Sequence, residues 1–216
     1  MTVRLLVTLL FFGLVLGAGV VRADPPEVTE DGLVRVPSSR KVGVYRAPDI
    51  PFTQYRRISL GGIEVSFSKN WLRSNKNLKE ADRERIRADL VRAFREEMTK
   101  ELVDRGGYGL TEETSNDVLL VQPSIQDLDI SAPDAGLTPG TRSFVQSAGS
   151  MTLVIELRDA ASGVVVARII DFERARETRD LQLANQTSNE VEARMAFASA
   201  ARHTREALNV AKTQRK

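Results

Sequence analysis

Residues 55–107 restrict what this chain can fold into more than any other stretch. They read as a strand over 56–67, a polar loop holding the single tryptophan (Ser68-Lys69-Asn70-Trp71), and then a long helix. In the strand, Ile58 and Leu60 alternate in one phase, and Ile63, Val65 and Phe67 in the other. The switch falls at Gly61-Gly62. A one-residue slip would turn every later side chain to the wrong face, so a bulge is expected there. Close backbone approach by a ligand is the functional alternative for the two glycines. The helix is expected over 78–104, with Asn77 as N-cap and Gly106-Gly107 as the stop. Ile86, Leu90, Phe94, Met98 and Leu102 recur every four residues, a broad oblique stripe suited to crossing a twisted sheet. Its opposite face is dense in charge and reads as solvated.

The rest of the chain supplies partners for this unit. Residues 24–49 carry Pro25, Pro26, Pro37 and Pro48 and read as an extended lead-in, with one edge contact from Gly43-Val44-Tyr45. A short strand is expected over 108–111 and a longer one over 117–130. In the latter, Val118-Leu119-Leu120-Val121 is apolar on both faces, as in a central strand, and Pro123 marks a bulge or an edge. Residues 131–142, with Pro133, Gly136, Pro139 and Gly140, form the loop expected to move most. Met151, Leu153, Ile155 and Leu157 alternate with more polar neighbours. The turn Asp159-Ala160-Ala161-Ser162-Gly163 then leads into a returning strand over 164–172. A last helix over 188–212 lines up Ala193, Ala196, Phe197, Ala200, Ala201, Thr204, Ala207, Leu208 and Ala211. The expected architecture is α+β: a two-layer sandwich with a mixed, mostly antiparallel sheet of four or five strands and two helices on one face. A single domain over 50–213 follows the lead-in, and strand, helix, strand at its front forces a crossover, right-handed by general rule.

Residues 1–23 have the three-part form of a secretory signal: Arg4, an apolar run over 5–21, and a small-x-small site at Val21-Arg22-Ala23. An uncleaved anchor is the competing reading, against which the run is short and carries Gly13, Gly17 and Gly19. The 31 basic residues less Arg4 and Arg22 leave 29, against 29 acidic, so the exported chain is formally neutral. Bulk charge then gives no drive toward nucleic acid or anionic lipid. With no cysteine, disulfides, thiol catalysis and thiolate metal sites are excluded.

Several segments together resemble the bacterial family known as domain of unknown function 3313. They are Asp31-Gly32-Leu33, Val44-Tyr45-Arg46-Ala47-Pro48, Tyr55-Arg56-Arg57, and the run from Glu64 through Phe67-Ser68-Lys69-Asn70 to Trp71. Glu156-Leu157-Arg158-Asp159 with Ser162-Gly163 resembles that family's hairpin, and the likeness spans roughly 31–210. The resemblance implies an exported envelope protein. Many members are lipoproteins, whereas this chain lacks the lipid-accepting cysteine. It implies no activity and no catalytic residues.

Chemistry is thinly signalled. His203, the one histidine, borders the apolar face of the last helix, with no nucleophile elbow to serve. Asp127 and Asp129 share a strand face, with Ser131 and Asp134 following, but Ala132 and Thr138 stand where a calcium loop needs glycine and glutamate. No catalytic residue, metal or cofactor is assigned. The surface expected to interact is Lys69, Asn70, Trp71 and Arg73, aromatic beside cationic, with Tyr55 and Phe67 nearby. Packing of Trp71 under the first helix is the competing role for that ring. The expected function is an exported, soluble periplasmic, non-catalytic binding or accessory protein whose partner is another envelope protein or component, not nucleic acid. The alternative is a carboxylate-dependent hydrolase of an envelope polymer.

Overall fold

The computed structural model describes residues 26–38, 42–130, 143–145, 149–174, 182–184 and 186–213. In chain order come β1 (Val34–Val36), β2 (Val42–Arg46), a 3₁₀ turn (Phe52–Gln54), β3 (Arg57–Leu60), β4 (Glu64–Phe67), α1 (Lys69–Ser74) and α2 (Glu80–Met98). A wider π-helical turn (Thr99–Asp104) continues α2. Then follow β5 (Gly109–Leu110), β6 (Val118–Ile130), β7 (Ser143–Val145), β8 (Gly149–Asp159), β9 (Val165–Arg174), β10 (Gln182–Ala184) and α3 (Gln186–Thr213). The class is α+β, but the main sheet has eight strands rather than four or five. The lead-in adds β1 and β2, the Gly61-Gly62 break divides the first strand in two, and β5 adds a short edge. The order is β1-β2-β9-β8-β6-β3-β5, with β4 also on β6, while β7 and β10 pair separately. The expected mobile loop over 131–142 lies outside the described residues.

Strand β6 is shared by two partners on one side. Its first half runs parallel to β3 and its second half parallel to β4, while β8 pairs antiparallel along its other side. Leu60 faces Val121 and Glu64 faces Ser124, four steps on one chain against three on the other. That extra residue is the bulge expected from the phase switch. The Gly61 amide donates to the Val121 carbonyl at 2.9 Å, and Gln122 Nε2 donates to the Gly62 carbonyl at 2.6 Å. A Cβ on Gly61 would stand 2.4 Å from Gln122 Oε1, so the close approach at this glycine is made by the protein itself. Pro123, which lacks a donor, stands in β6 opposite the gap between β3 and β4.

A second irregularity cancels the first. Val65 faces Ile125 and Phe67 faces Leu128, now two steps against three, and the surplus residue on β6 lies at Asp127, whose φ is +52°. The same slip appears against β8, between Gln126 and Asp129. The bulge interrupts the alternation that would place Asp127 and Asp129 on one face.

Helix α2 starts two residues later than expected, with Lys79 rather than Asn77 as its N-cap, because α1 and a turn occupy 69–78. Leu90, Phe94 and Met98 are buried, as the stripe requires. A four-residue step overshoots one helical turn by about 40°, so the row drifts steadily around an α-helix. The wider π turn rewinds that drift and keeps Leu102 inward. Gly107, at φ +72°, closes the helix, with the Tyr108 amide bonded to the Leu102 carbonyl at 3.1 Å. In α3, Phe197, Ala200, Ala201, Thr204 and Leu208 are buried, and Phe197 meets Phe94 edge-on at 5.5 Å. Ile58, Leu119, Val121, Leu153, Ile155 and Ile169 join these helix residues in one core.

The π turn also places Glu101 between the helices, buried and accepting hydrogen bonds from Arg105 and, at 3.0 Å, from Arg205 Nε of α3. Burial pushes its pKa up, but the two guanidinium groups outweigh burial and hold it below the ordinary value of 4.5. A depressed pKa stabilises the fold above the ordinary value and loses that contribution as pH falls through the folded one. Glu101→Gln should cost about 1–3 kcal/mol at neutral pH. In urea melts across a pH series the deficit should close as pH drops below 4.5. At the β6 bulge, Asp127→Gly should leave stability within about 1 kcal/mol, while Asp127→Val should lose about 1–3 kcal/mol in the same melts.

Candidate functional site

Two regions present chemistry to the outside. The first is α1, a helix of 6 residues that follows β4. Ser68 is its N-cap, with Oγ accepting from the Trp71 amide at 3.1 Å, and the Ser68 amide donates to the Leu128 carbonyl at 2.9 Å. Trp71 lies beneath the helix, 3% exposed, stacked on Phe67 with centroids 4.4 Å apart. Its Nε1 donates to the Ile130 carbonyl at 2.8 Å, the last residue of β6. Arg87 of α2 covers the other aromatic partner, 5.2 Å from the Phe67 centroid. Of the four residues expected at an interaction surface, Lys69, Asn70 and Arg73 are exposed and Trp71 is not. The same loop holds both kinds, because positions 69, 72 and 73 share one helical face and 71 projects from the opposite one. Trp71 fixes the helix to the sheet and offers no contact of its own.

Leu72, 41% exposed, stands among the cations, a neighbour the sequence reading left out. Lys76 and Lys79 continue the exposed patch, and no acidic residue occurs from Val65 to Lys79. Arg73 donates to Asn70 Oδ1. Elsewhere arginines are matched with acids: Arg57 grips Asp117 through two bonds of 2.9 and 2.8 Å and reaches Glu113 at 2.6 Å. On β9, Arg168 bridges Asp31 at 2.7 Å and Glu156 at 2.7 Å, and Glu156 also accepts from Arg158 at 2.5 Å.

The second region is a cavity of about 310 Å³ where α3 passes over the β1–β2 edge. Phe52, Leu157 and Ala167 floor it, Val42 and Val44 form one wall, and Ala207 and Ala211 the other. His203 lines it too, half-buried, with Nδ1 3.2 Å from Oδ2 of Asp171, which is 1% exposed. The expectation that His203 sits at the border of the apolar face holds, and Asp171 is the partner that sequence spacing could not reveal.

The carboxyl groups of Asp31, Glu80, Glu101, Asp117 and Asp159 have displaced pKa values, and each of these moves down. Hydrogen bonds do this at Asp31 (from Thr29 and Arg168), Glu80 (Arg87 and Arg83) and Asp117 (Arg57 and Ser115). At Glu101 and Asp159 burial pushes up but is outweighed, by Arg205 and Arg105 at the first and by Ser162 at the second. A carboxylic acid that donates a proton near neutrality needs the opposite shift, so none of these five is set up for that task.

Residues 28–204 match the family described as protein of unknown function (DUF3313), and the chain belongs to that family. No curated protein matches it. Among solved structures it is similar to the PelC dodecamer from Paraburkholderia phytofirmans, at 8% identity and TM-score 0.40, covering 74% of this chain and 96% of that one. It is also similar to a putative neuraminyllactose-binding hemagglutinin homolog from Helicobacter pylori, at 12% identity and TM-score 0.34, covering 74% and 86%. No helix among the described residues is long and apolar enough to cross a membrane.

The contrast within α1 is measurable. Trp71→Ala should cost about 3–5 kcal/mol in urea unfolding, whereas Lys69→Ala should stay within about 0.5 kcal/mol of the parent.

Proposed function

We propose that this is an exported, non-catalytic binding module of the bacterial envelope that engages an anionic surface of an envelope partner through the outer face of α1. The observation that carries this reading is the pair of exposed cations Lys69 and Arg73 beside exposed Leu72 on α1, a helix pinned from below by Trp71, with exposed Lys76 and Lys79 following it in the chain. Cations unmatched by local acids attract an opposite surface, and a central apolar side chain gains from being covered. A rigid support spares the entropy of ordering the contact at the moment of binding. Export is supported by the signal-like residues 1–23, and the periplasm is the compartment that such a leader implies. In this reading α2 and α3 cover one face of the sheet, and the Asp31-Arg168-Glu156-Arg158 chain lies on the other.

The test uses a photo-crosslinking residue at position 69 or 73 in the native envelope, with position 92 on α2 as control. A discrete adduct is expected at 69 and 73 but not at 92. It should disappear when the remaining cations are reversed, Arg73→Glu with Lys76→Glu for the probe at 69 and Lys69→Glu with Lys76→Glu for the probe at 73, while the melting temperature stays within about 4 °C. Identical adducts at 92, or none at 69 and 73, would overturn the proposal.

A further inference from the structure

The cavity under α3 is distant in role from the α1 patch and has its own polarity. Val42 pairs with Asp171 and Arg46 with Ala167, so these two groove residues stand at opposite ends of the β2–β9 ladder, roughly 13 Å apart. At the Val42 end, His203 and buried Asp171 hold one another at 3.2 Å. Between the ends the lining is aliphatic and aromatic, from Val42, Val44 and Phe52 to Ala207, Leu208 and Ala211. The gap exists because α3 presents alanines at 207 and 211 toward β2, where the larger Phe197 fills the space nearer α2. At the far end is Arg46, half-buried, whose guanidinium has no hydrogen bond or ion pair among the described residues. Glu206 also borders the cavity but is exposed at its rim, where water screens it.

We propose that this cavity is a binding site for a small single-chain amphiphile with an anionic head, its alkyl chain between α3 and β2 and its head on Arg46. Apolar walls with few placed polar groups are the usual form of a small-ligand pocket, and this volume is at the lower end of their range, which suits a short chain. A guanidinium with no acidic partner among the described residues, in a protein whose other arginines are so often paired, supplies the charge complementarity for a carboxylate or phosphate head. Nothing in this inference depends on what α1 contacts.

Displacement of dansyl-undecanoate from the purified protein tests it, with decanoate, decanol and decyltrimethylammonium as competitors below their micelle concentrations. Decanoate should displace the probe at roughly ten-fold lower concentration than decanol, with the ammonium weakest. Arg46→Gln should remove the advantage of decanoate and leave decanol unchanged. Ala207→Phe should abolish displaceable binding, and circular dichroism verifies its fold; Ala211→Leu takes its place if that variant does not fold. Equal potency of the three competitors, an inert Arg46→Gln, or a folded filled variant that still binds would each overturn the proposal. So would probe binding that falls as protein concentration rises, because the groove would then be closed by a second copy of the chain.

Discussion

Both ladders of β6 must close at once, and the rest of the structure is arranged so that they can. On one side the strand meets β8 without interruption until Gln126, and on the other it meets β3 and then β4. Because side chains alternate with period two, an uncorrected single-residue slip on either side would expose the core face of everything beyond it. The chain inserts one residue at Gly61–Ile63 and returns it at Asp127, so Leu60 and Phe67 end up with the same offset to their partners on β6. The two inserts sit at the places where each strand can bend: a glycine pair on one, and a residue that tolerates the left-handed region on the other.

The helices depend on that alignment. The drifting stripe of α2 follows the twist of the sheet, and its π turn restores the inward direction of Leu102 while delivering Glu101 to Arg205. Burial of one carboxylate between two cations ties α2 to α3 at a point where a purely apolar contact would leave their relative rotation less defined. Further along, α3 changes character from Phe197 to the alanines over β2, and the helix layer opens where the sheet continues.

Much of this was legible in the residues themselves. The phase change at Gly61-Gly62, the stripe from Leu90 to Leu102, the hairpin around Gly163 and the alanine face of α3 are all local patterns, and each has its counterpart in the structure. Strand number was not, because the proline-bearing lead-in lacks a periodic signal and gains its strand geometry only from β9. The α1 segment reads as loop in the sequence, since 6 residues are too few to show a helical period. At the candidate sites the cationic residues were readable, but exposure was not: Lys69 and Trp71 differ by two positions and by face. The cavity joins residues from β2 and α3 that lie far apart in the chain, and only the folded topology brings Arg46 and Ala211 to the same hollow.

The two irregularities along β6 have a genetic corollary. Losing one residue at the glycine joint would remove the surplus there and let β3 run on into β4 as a single strand, with Glu64 still opposite Ser124. Losing Asp127 would even out β6 against β4 and β8 together, with Phe67 still opposite Leu128 and Asp129 opposite Ser150. Each joint is thus a place where the gene can shed a codon while the pairings on both sides of it stand.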